Sequence, residues 1–131
     1  MIAGTCILVF GISGVGKTTV CYDFAARHPE YLHYRASALL SAAKSESTER
    51  LRTSSAADIR SNQALLGEKL DSLRNGQLQR PVIVECHAII DNDIELVEVP
   101  VSIVQALRPD GLILLEANAE TVCARRVSDD R

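Results

Sequence analysis

The sequence predicts an α/β fold in which a mostly parallel sheet lies between two layers of helices. Several apolar runs of strand length lack the strict alternation of a half-buried strand, which is typical of strands covered on both faces. A helical pattern follows each of these runs, which span residues 5–10, 31–35, 81–86 and 112–115. Because ligands bind at the carboxyl ends of the strands in such sheets, the polar residues after the runs are candidate site residues.

The composition predicts a single folded domain in the cytoplasm. A chain of 131 residues, 47% of them apolar, is long enough to bury a core. The net charge of −3 gives no general basic surface for nucleic acid or an anionic membrane, and no apolar run approaches a membrane span. The apolar N-terminus lacks the basic residues of a signal peptide, so we expect a core strand there. The scattered cysteines form no C-x-x-C pair and are expected to be reduced: Cys6, Cys21, Cys86 and Cys123.

The first half of the chain predicts three helices. The first spans about residues 17–27 and ends before Pro29, because proline disfavours helix at the residue that precedes it. The second covers residues 38–44 with Ser37 as its N-cap, and the polar residues 45–55 are expected to form a loop. A longer helix follows, from a capping box at Ser55 to a stop signal at residues 75–76.

The second half predicts shorter elements. Residues 91–93 indicate a turn, residues 100–107 a short helix, and Asn118 caps a last helix. The run at residues 112–115 is expected to be a buried strand. Glu116 ends this run and is a second candidate for an acidic residue that organises Mg²⁺, but we favour a cap or surface role for it.

A phosphate-binding loop is the most informative motif. The stretch Gly11-Ile12-Ser13-Gly14-Val15-Gly16-Lys17-Thr18-Thr19 fits G-x-x-x-x-G-K-[ST] at every fixed position, between a predicted strand and a predicted helix. The glycines let successive backbone N–H groups aim at one phosphate, and the helix N-terminus adds partial positive charge. Lys17 would reach the β- and γ-phosphates of ATP, and the Thr18 hydroxyl would ligate Mg²⁺. The candidate nucleotide-binding residues are Gly11, Ser13, Gly14, Val15, Gly16, Lys17, Thr18 and Thr19.

Two polar residues follow the third strand. Glu85 ends its apolar run and is the best candidate for the acidic residue that organises Mg²⁺ and its waters. The alternative is a carboxylate at the end of a strand that only faces solvent, which would give the same sequence pattern. His87 points to the same side of an extended chain and could contact a phosphate or the acceptor. The alternative for His87 is a structural hydrogen bond, the role we also expect for His28 and His33.

The arginines form two sets that flank the phosphate loop. Negative charge spreads over a transferred phosphoryl group, so its transfer needs several cations. Two sets would suit two phosphate chains, one from a donor and one from an acceptor, while an ordinary solvated surface explains at least half of these residues. The sets are Arg35, Arg50, Arg52 and Arg60, and Arg125, Arg126 and Arg131.

Four stretches together resemble the archaeal-type adenylate kinases and their eukaryotic nuclear relative, within the P-loop nucleoside-monophosphate kinases. They are the phosphate loop, residues 84–90 with the Glu-x-His-Ala element, residues 107–118 with Arg-Pro-Asp, an apolar strand and Glu-Ala-Asn, and residues 123–131, which resemble the entry to the lid at about 125–131. The resemblance covers nearly the whole chain and implies a three-layer αβα P-loop fold. The phosphate loop is generic, whereas the Glu-x-His-Ala element discriminates between families.

The resemblance also implies roles for single residues. Lys17 and Thr18 would bind ATP and Mg²⁺, with Glu85 holding the metal through water. His87 would lie near the transferred phosphate, and Arg52 would clamp the acceptor phosphate. The candidate catalytic residues are Lys17, Glu85, His87 and Arg126; the candidate substrate-binding residues are Ser37, Arg52, Pro100 and Arg131.

This chain departs from the family pattern at three points. Ala36-Ser37 replaces a common Gly-Asp, which bears on the identity of the acceptor, and Glu85 replaces Asp. The sequence ends at the start of the lid, so we expect one P-loop kinase domain over 1–131 that lacks the last strand and most of the lid. Its acceptor-binding segment would span about 35–75. Without a lid, water would reach the transferring phosphate and hydrolysis would be favoured.

The favoured function is therefore an ATP-dependent nucleoside-monophosphate kinase that uses Mg²⁺ and takes AMP, or another monophosphate, as acceptor. We expect a monomer or a small homo-oligomer. One alternative is a small-molecule kinase with an alcohol acceptor, for which Glu85 or a neighbouring carboxylate would act as base. Another is an ATP-hydrolysing switch or assembly factor that acts through a partner, with residues 45–55 as its recognition loop. A GTPase is disfavoured because the sequence has no Asn-Lys-x-Asp motif.

Overall fold

The computed structural model describes residues 4–77 and 79–128. Its strands and helices alternate along most of the chain, as the apolar runs predicted. In chain order the elements are β1 Cys6–Phe10, α1 Lys17–Arg27, β2 Leu32–Arg35, α2 Ala36–Lys44, α3 Thr48–Arg52, α4 Ala56–Gln63, α5 Leu66–Arg74, β3 Val82–Cys86, β4 Ile89–Asp91, β5 Leu96–Glu98, α6 Val101–Ala106, β6 Gly111–Leu114 and α7 Ala119–Ser128.

The main sheet has four parallel strands in the order β2-β3-β1-β6. β1 pairs with β3 so that Val9 lies beside Glu85, and β2 pairs with β3 so that Arg35 lies beside the same Glu85. The predicted α/β fold with a mostly parallel sheet is thereby confirmed. The register also brings the phosphate loop and the polar residues after β3 to the same edge of the sheet.

Each face of the sheet has its own core. Cys6, Leu8 and Phe10 of β1 alternate toward the face where α2 and α5 pack, together with buried leucines such as Leu40 and Leu70. Val9 of the same strand points to the opposite face, in a smaller cluster that includes residues of α1 and β3. The helices therefore form a layer on each side, which is the predicted three-layer arrangement.

The last strand of the sheet differs from its prediction. β6 pairs with β1, but its side chains are not buried: Leu112 is 60%, Ile113 45% and Leu114 66% exposed. The prediction of a fourth buried strand is therefore wrong for this part of the chain. The physical reason is position, because β6 is an edge strand and its apolar run alone does not reveal how much of it a helix covers.

The segment between β2 and β3 is more helical than predicted. Residues 45–55 contain α3 rather than only a loop, because the Ser47 side chain accepts a hydrogen bond from the Arg50 N–H and Leu51 is buried. The long helix predicted after Ser55 is instead two helices, α4 and α5. Leu65 lies at the break between them. Its N–H donates to the Asn62 carbonyl three residues earlier, a spacing typical of helix ends.

Helix caps are predicted with mixed success. Ser55 accepts from the Asp58 N–H at 3.2 Å, and Asn118 accepts from the Thr121 N–H at 2.8 Å, as predicted. Ser37 does not cap α2, because the helix begins at Ala36, two residues before its predicted start, with extended Arg35 as its N-cap. Ser37 therefore lies within the first turn of α2.

The turn predicted at residues 91–93 belongs to a hairpin that the sequence did not predict. β4 and β5 pair in antiparallel fashion. Buried Asn92 closes the turn by accepting hydrogen bonds from the N–H groups of Ile94 and Glu95, at 3.0 and 2.8 Å. None of the helices in the described ranges has the length and apolar character that a membrane crossing requires.

Candidate functional site

The loop between β1 and α1 is shaped by glycine. Gly14 and Gly16 have φ values of +90° and +103°, a region that favours glycine. A Cβ on Gly11 would lie 2.6 Å from Cγ1 of Val15, so the backbone closes tightly there. The loop thus places its backbone N–H groups next to the N-terminus of α1, and the two together favour binding of an anion.

Lys17 is the first residue of α1, and its side chain is buried. Its ammonium donates to the Gly11 carbonyl and lies 3.4 Å from Nδ1 of His87. The side chain therefore folds back over the loop to the end of β3. This places the cation beside the space in front of the loop.

Thr18 and Glu85 form the second pair of the site. The Thr18 hydroxyl donates to Oε1 of Glu85 at 2.7 Å, and Glu85 is only 5% exposed. A hydroxyl and a carboxylate that meet at a phosphate loop are hard oxygen donors of the kind that Mg²⁺ prefers. The residues present therefore fit a magnesium ion.

His33 also reaches this carboxylate, a contact that the sequence analysis missed. Its Nε2 donates to Oε2 of Glu85 at 2.7 Å, and its side chain is 15% exposed. His33 was interpreted as structural only. Strand pairing could have revealed the contact, because Arg35 lies beside Glu85 and His33 is on the same face two residues earlier.

Two arginines of α7 hold the outer side of the loop. Nε of Arg126 donates to the Ser13 carbonyl at 2.9 Å, and Nη1 of Arg125 donates to the carbonyls of Gly14 and Val15 at 3.1 and 2.9 Å. Arg126 thus lies at the predicted site. Arg125 was predicted only as one of the arginines that flank the loop, without a catalytic or binding role of its own, and Arg131 lies outside the described residues.

Two adjoining cavities open at the carboxyl edge of the sheet. The larger, of about 760 Å³, is formed by the phosphate loop and also contacts Glu85. The smaller, of about 510 Å³, extends under α3, α4 and the β4–β5 hairpin. Both are lined by Ile12, Ser13, Ser37 and His87. His87 therefore lies at the boundary between two spaces that each accommodate a small molecule.

The smaller cavity combines apolar walls with a few polar groups. Arg52, Asn62 and the buried Gln63 contribute the polar side chains most suited to recognition. Its apolar lining residues are Ile12, Leu40, Leu51, Ile59, Ile89, Ile90 and Leu96. Apolar walls with a buried amide suit a flat heterocycle whose edges carry hydrogen-bonding groups.

Arg52 is held in place by acidic neighbours. Its guanidinium donates to Glu49, to both carboxylate oxygens of Asp93 at 2.8 and 3.1 Å, and to the Asp91 carbonyl at 2.7 Å. Hydrogen bonds to Glu49 and then to Asp93 raise the pKa of Arg52 further above its ordinary value. The cation is therefore fixed at the cavity wall.

Pro100 is not brought to the site. It is the N-cap of α6 and lines neither of the two cavities. Thr19 lines the larger cavity, while Glu116 is exposed beyond β6, as its surface role predicted. The predicted residues that do meet are therefore those of the phosphate loop, the end of β3, α2, α3 and α7.

The sheet order, the glycine loop and the Lys17–Thr18–Glu85 arrangement define a P-loop protein with a nucleotide-type phosphate site. The sequence from residue 10 to residue 131 matches the family model described as an AAA domain, AAA_17, and the chain belongs to that family. No curated protein sequence matches the chain.

Among solved structures, shikimate kinase from Acinetobacter baumannii in complex with shikimate is similar. The TM-score is 0.69 at 14% sequence identity, and the match covers 96% of this chain. The chain spans 64% of the length of that kinase. The similarity shows that this chain shares the fold of that kinase.

Proposed function

We propose that this chain is a nucleoside-monophosphate kinase of the adenylate kinase type, which transfers the γ-phosphate of ATP to AMP or another monophosphate with Mg²⁺. The observation that carries this proposal is the pair of adjoining cavities that share His87. One is a phosphate-loop cavity, and the other has a fixed arginine and apolar walls. A kinase needs this juxtaposition because donor and acceptor must react directly.

The larger cavity is assigned to ATP. The loop N–H groups and the ammonium of Lys17 would hold its β- and γ-phosphates, while Arg125 and Arg126 keep the loop in shape from α7. Mg²⁺ would be held by Thr18 and by Glu85 through water, and when bound it neutralises phosphate charge. The buried Lys17 ammonium would stabilise the charge that develops on the bridging oxygen.

The smaller cavity is assigned to the acceptor monophosphate. Arg52 would bind its phosphate, since a guanidinium presents paired donors that match phosphate oxygens. The apolar walls would enclose the base, with the Gln63 amide available to its edge. Ser37 and His87 line both cavities and would therefore lie close to the phosphate that moves.

The reaction is an in-line displacement. A phosphate oxygen of the acceptor attacks the γ-phosphorus, a new P–O bond forms, and the bond to the β,γ-bridging oxygen breaks, leaving its electron pair on ADP. The attacking oxygen is already anionic, so no side chain must remove a proton from it. The chain contributes positioning by the loop and Arg52 and charge neutralisation by Lys17.

A small-molecule kinase with an alcohol acceptor is the second candidate, because a structurally similar protein is a shikimate kinase that binds shikimate. An alcohol acceptor needs a base to take up its proton. Glu85 is a carboxylate that lines the phosphate-loop cavity, but it already accepts hydrogen bonds from Thr18 and His33. The geometry therefore favours the monophosphate acceptor. Cytoplasmic location and a monomer or small homo-oligomer stay predictions.

An acceptor screen tests the proposal. The purified chain is incubated with Mg-ATP and, separately, with AMP, CMP, UMP, GMP, dAMP or a panel of alcohols that includes shikimate. Formation of a nucleoside diphosphate from one monophosphate, lost in Lys17→Ala, supports the proposal. A phosphorylated alcohol instead would identify the second candidate, and ADP without any phosphorylated acceptor would indicate an ATP-hydrolysing switch. Gln63→Leu should raise the acceptor KM and leave the ATP KM unchanged.

A further inference from the structure

A cluster of metal-ligating atoms lies beneath the phosphate loop. The Cys21 thiol, a ring nitrogen of His33 and a carboxylate oxygen of Glu85 all lie within 4.8 Å of one another. The three residues come from α1, β2 and β3. Cys21 is fully buried, and Glu85 is 5% exposed.

The fold brings these side chains together for a simple reason. His33 and Glu85 lie on the face of the sheet that α1 covers, where Cys21 packs with Val9. Cys21 is three residues after Thr18, so both lie on the same side of α1, and Thr18 bonds to the same carboxylate. The cluster is therefore built from the inner face of α1 against two neighbouring strands.

We propose that Cys21, His33 and Glu85 form a binding site for a borderline divalent transition metal, with Zn²⁺ as its natural ligand. Thiolate, imidazole and carboxylate are zinc ligands, whereas Mg²⁺ takes oxygen ligands. Three protein ligands leave a fourth position of a tetrahedral zinc site for water. A thiolate and a carboxylate carry two negative charges, which offset the charge of the ion in a buried position.

The distances suit such an ion after a small adjustment. Bonds of about 2.0–2.3 Å in a tetrahedral zinc site put ligand atoms about 3.3–3.8 Å apart. The atoms of the cluster span at most 4.8 Å, so side-chain torsions alone must close about 1 Å. The hydrogen bond from His33 to Glu85 would open, and the ring proton would reside on Nδ1.

Metal binding must displace the thiol proton. Burial raises the pKa of Cys21 to about 11, so its sulfur is protonated at neutral pH, although nearby Lys17 acts in the opposite direction. The step is Cys–SH plus Zn²⁺ giving Cys–S–Zn and one proton, which passes to solvent. No redox partner is required, because no electrons are transferred.

The site has a consequence for the neighbouring magnesium site, and this part rests on the proposed function. Glu85 serves both groups: Oε1 faces Thr18, and Oε2 faces His33. A metal held by Cys21 would draw the carboxylate away from Thr18. Zn²⁺ would then inhibit the Mg²⁺-dependent reaction at low concentration.

Metal binding is tested with Co²⁺, because the absorption spectrum of this ion depends on the ligands that hold it. Titration of the reduced, metal-free chain should give a near-ultraviolet thiolate-to-cobalt charge-transfer band that saturates at one ion per chain and is abolished by Zn²⁺. Cys21→Ser should remove the band. His33→Gln should weaken Co²⁺ binding at least about 100-fold, because loss of an outer-shell partner alone costs about 10- to 100-fold.

Matched controls come from the same chain. Cys123→Ser removes an exposed thiol and His28→Gln an exposed imidazole, and both should bind Co²⁺ as the parent chain does. A charge-transfer band that survives in Cys21→Ser, or that is lost in Cys123→Ser, would overturn the proposal. So would the absence of any band in the parent chain. If Cys21→Ser unfolds, the affinity of His33→Gln decides, and an unchanged affinity would refute the site.

A second measurement separates this site from the proposed function. The Co²⁺ band does not depend on activity, so it should appear even in a chain that transfers no phosphate. In an active chain, the Zn²⁺ concentration that halves the rate should rise at least about 100-fold in Cys21→Ser relative to Cys123→Ser. Equal inhibition of both variants would show that zinc acts elsewhere and would contradict the regulatory consequence.

Discussion

Replacement of Arg52 by alanine should weaken binding of the acceptor and leave binding of ATP unchanged. Arg52 is the one guanidinium that lines the smaller cavity from α3, and Glu49, Asp93 and the Asp91 carbonyl fix its direction. It lines the smaller cavity but not the larger one. The change should therefore raise the KM of the monophosphate and not that of ATP.

The size of the effect follows from the contacts. Each hydrogen bond to a charged group contributes about 1.5–3 kcal/mol. The acceptor phosphate must displace the bonds from Arg52, which is 16% exposed, to Glu49 and Asp93, which are 68% and 62% exposed. Because solvent screens the two carboxylates, each displaced pair offsets only about 0–1 kcal/mol of the gain. One bond to the phosphate is the net gain after this exchange, and its loss of about 1.5–3 kcal/mol corresponds to an increase in KM of about tenfold to 150-fold.

The assay is steady-state kinetics with the acceptor identified by the screen, varied at saturating ATP and then the reverse. Arg50→Ala is the matched control, since Arg50 is on the same helix, is 78% exposed and lines neither cavity. Its KM values should stay within about twofold of the parent chain. A thermal denaturation curve for each variant shows whether the fold is intact.

An unchanged acceptor KM in folded Arg52→Ala would refute the reasoning. Equal increases in the KM of ATP and of the acceptor would also refute it. Either result would mean that Arg52 only ties α3 to the β4–β5 hairpin through Asp91 and Asp93.

Three further predictions concern stability and reactivity. Leu70 is 2% exposed, so Leu70→Ala should lower the free energy of unfolding in urea by about 2–5 kcal/mol. Leu114 is 66% exposed, and Leu114→Ala should change this free energy by less than about 0.5 kcal/mol. Similar values for the two variants would contradict the assignment of Leu70 to the core. Gly14→Ala should lower the free energy of unfolding, measured by thermal denaturation, by about 1–2 kcal/mol, and should weaken ATP binding measured by calorimetry. The reason is that Gly14 has φ of +90° and a new Cβ would lie 3.2 Å from the Val122 carbonyl oxygen. An unchanged melting temperature would argue against this loop geometry. Burial raises the pKa of the Cys86 thiol from 9.0 to about 12, so this thiol ionises at lower pH in the unfolded chain than in the folded chain. Its contribution to the free energy of unfolding should therefore be lost as pH rises from 9 toward 12. The free energy of unfolding of Cys86→Ala should fall less steeply over this range.

Much of the fold follows from local patterns. The apolar runs and their turn residues located all four strands of the main sheet, and the caps at Ser55 and Asn118 lie where the sequence places them. The exposure of β6 did not follow, because coverage of an edge strand depends on tertiary packing. The β4–β5 hairpin was also missed, since strands of three residues are too short for a periodicity to show.

The candidate site was predicted where a motif fixes the backbone. The phosphate loop carries its own geometry, so Lys17 and Thr18 could be located from the sequence. His33 was missed as a member of the site, because its contact with Glu85 joins elements far apart in the chain. Arg125 was predicted only as one of a set of cations, and its contact with the loop carbonyls did not follow from the sequence. Pro100 was predicted by resemblance alone, and it is the N-cap of α6 and lines neither of the two cavities.

The fate of the γ-phosphate tests the central claim most directly. The chain is incubated with Mg-ATP labelled at the γ-phosphorus and with the monophosphate that the acceptor screen identifies, and the products are separated. We predict label in the β-phosphate of the newly formed nucleoside diphosphate, in amounts equal to the ATP consumed, and no transfer by Lys17→Ala. Label recovered only as inorganic phosphate would contradict it, because the two adjoining cavities would then not hold donor and acceptor together.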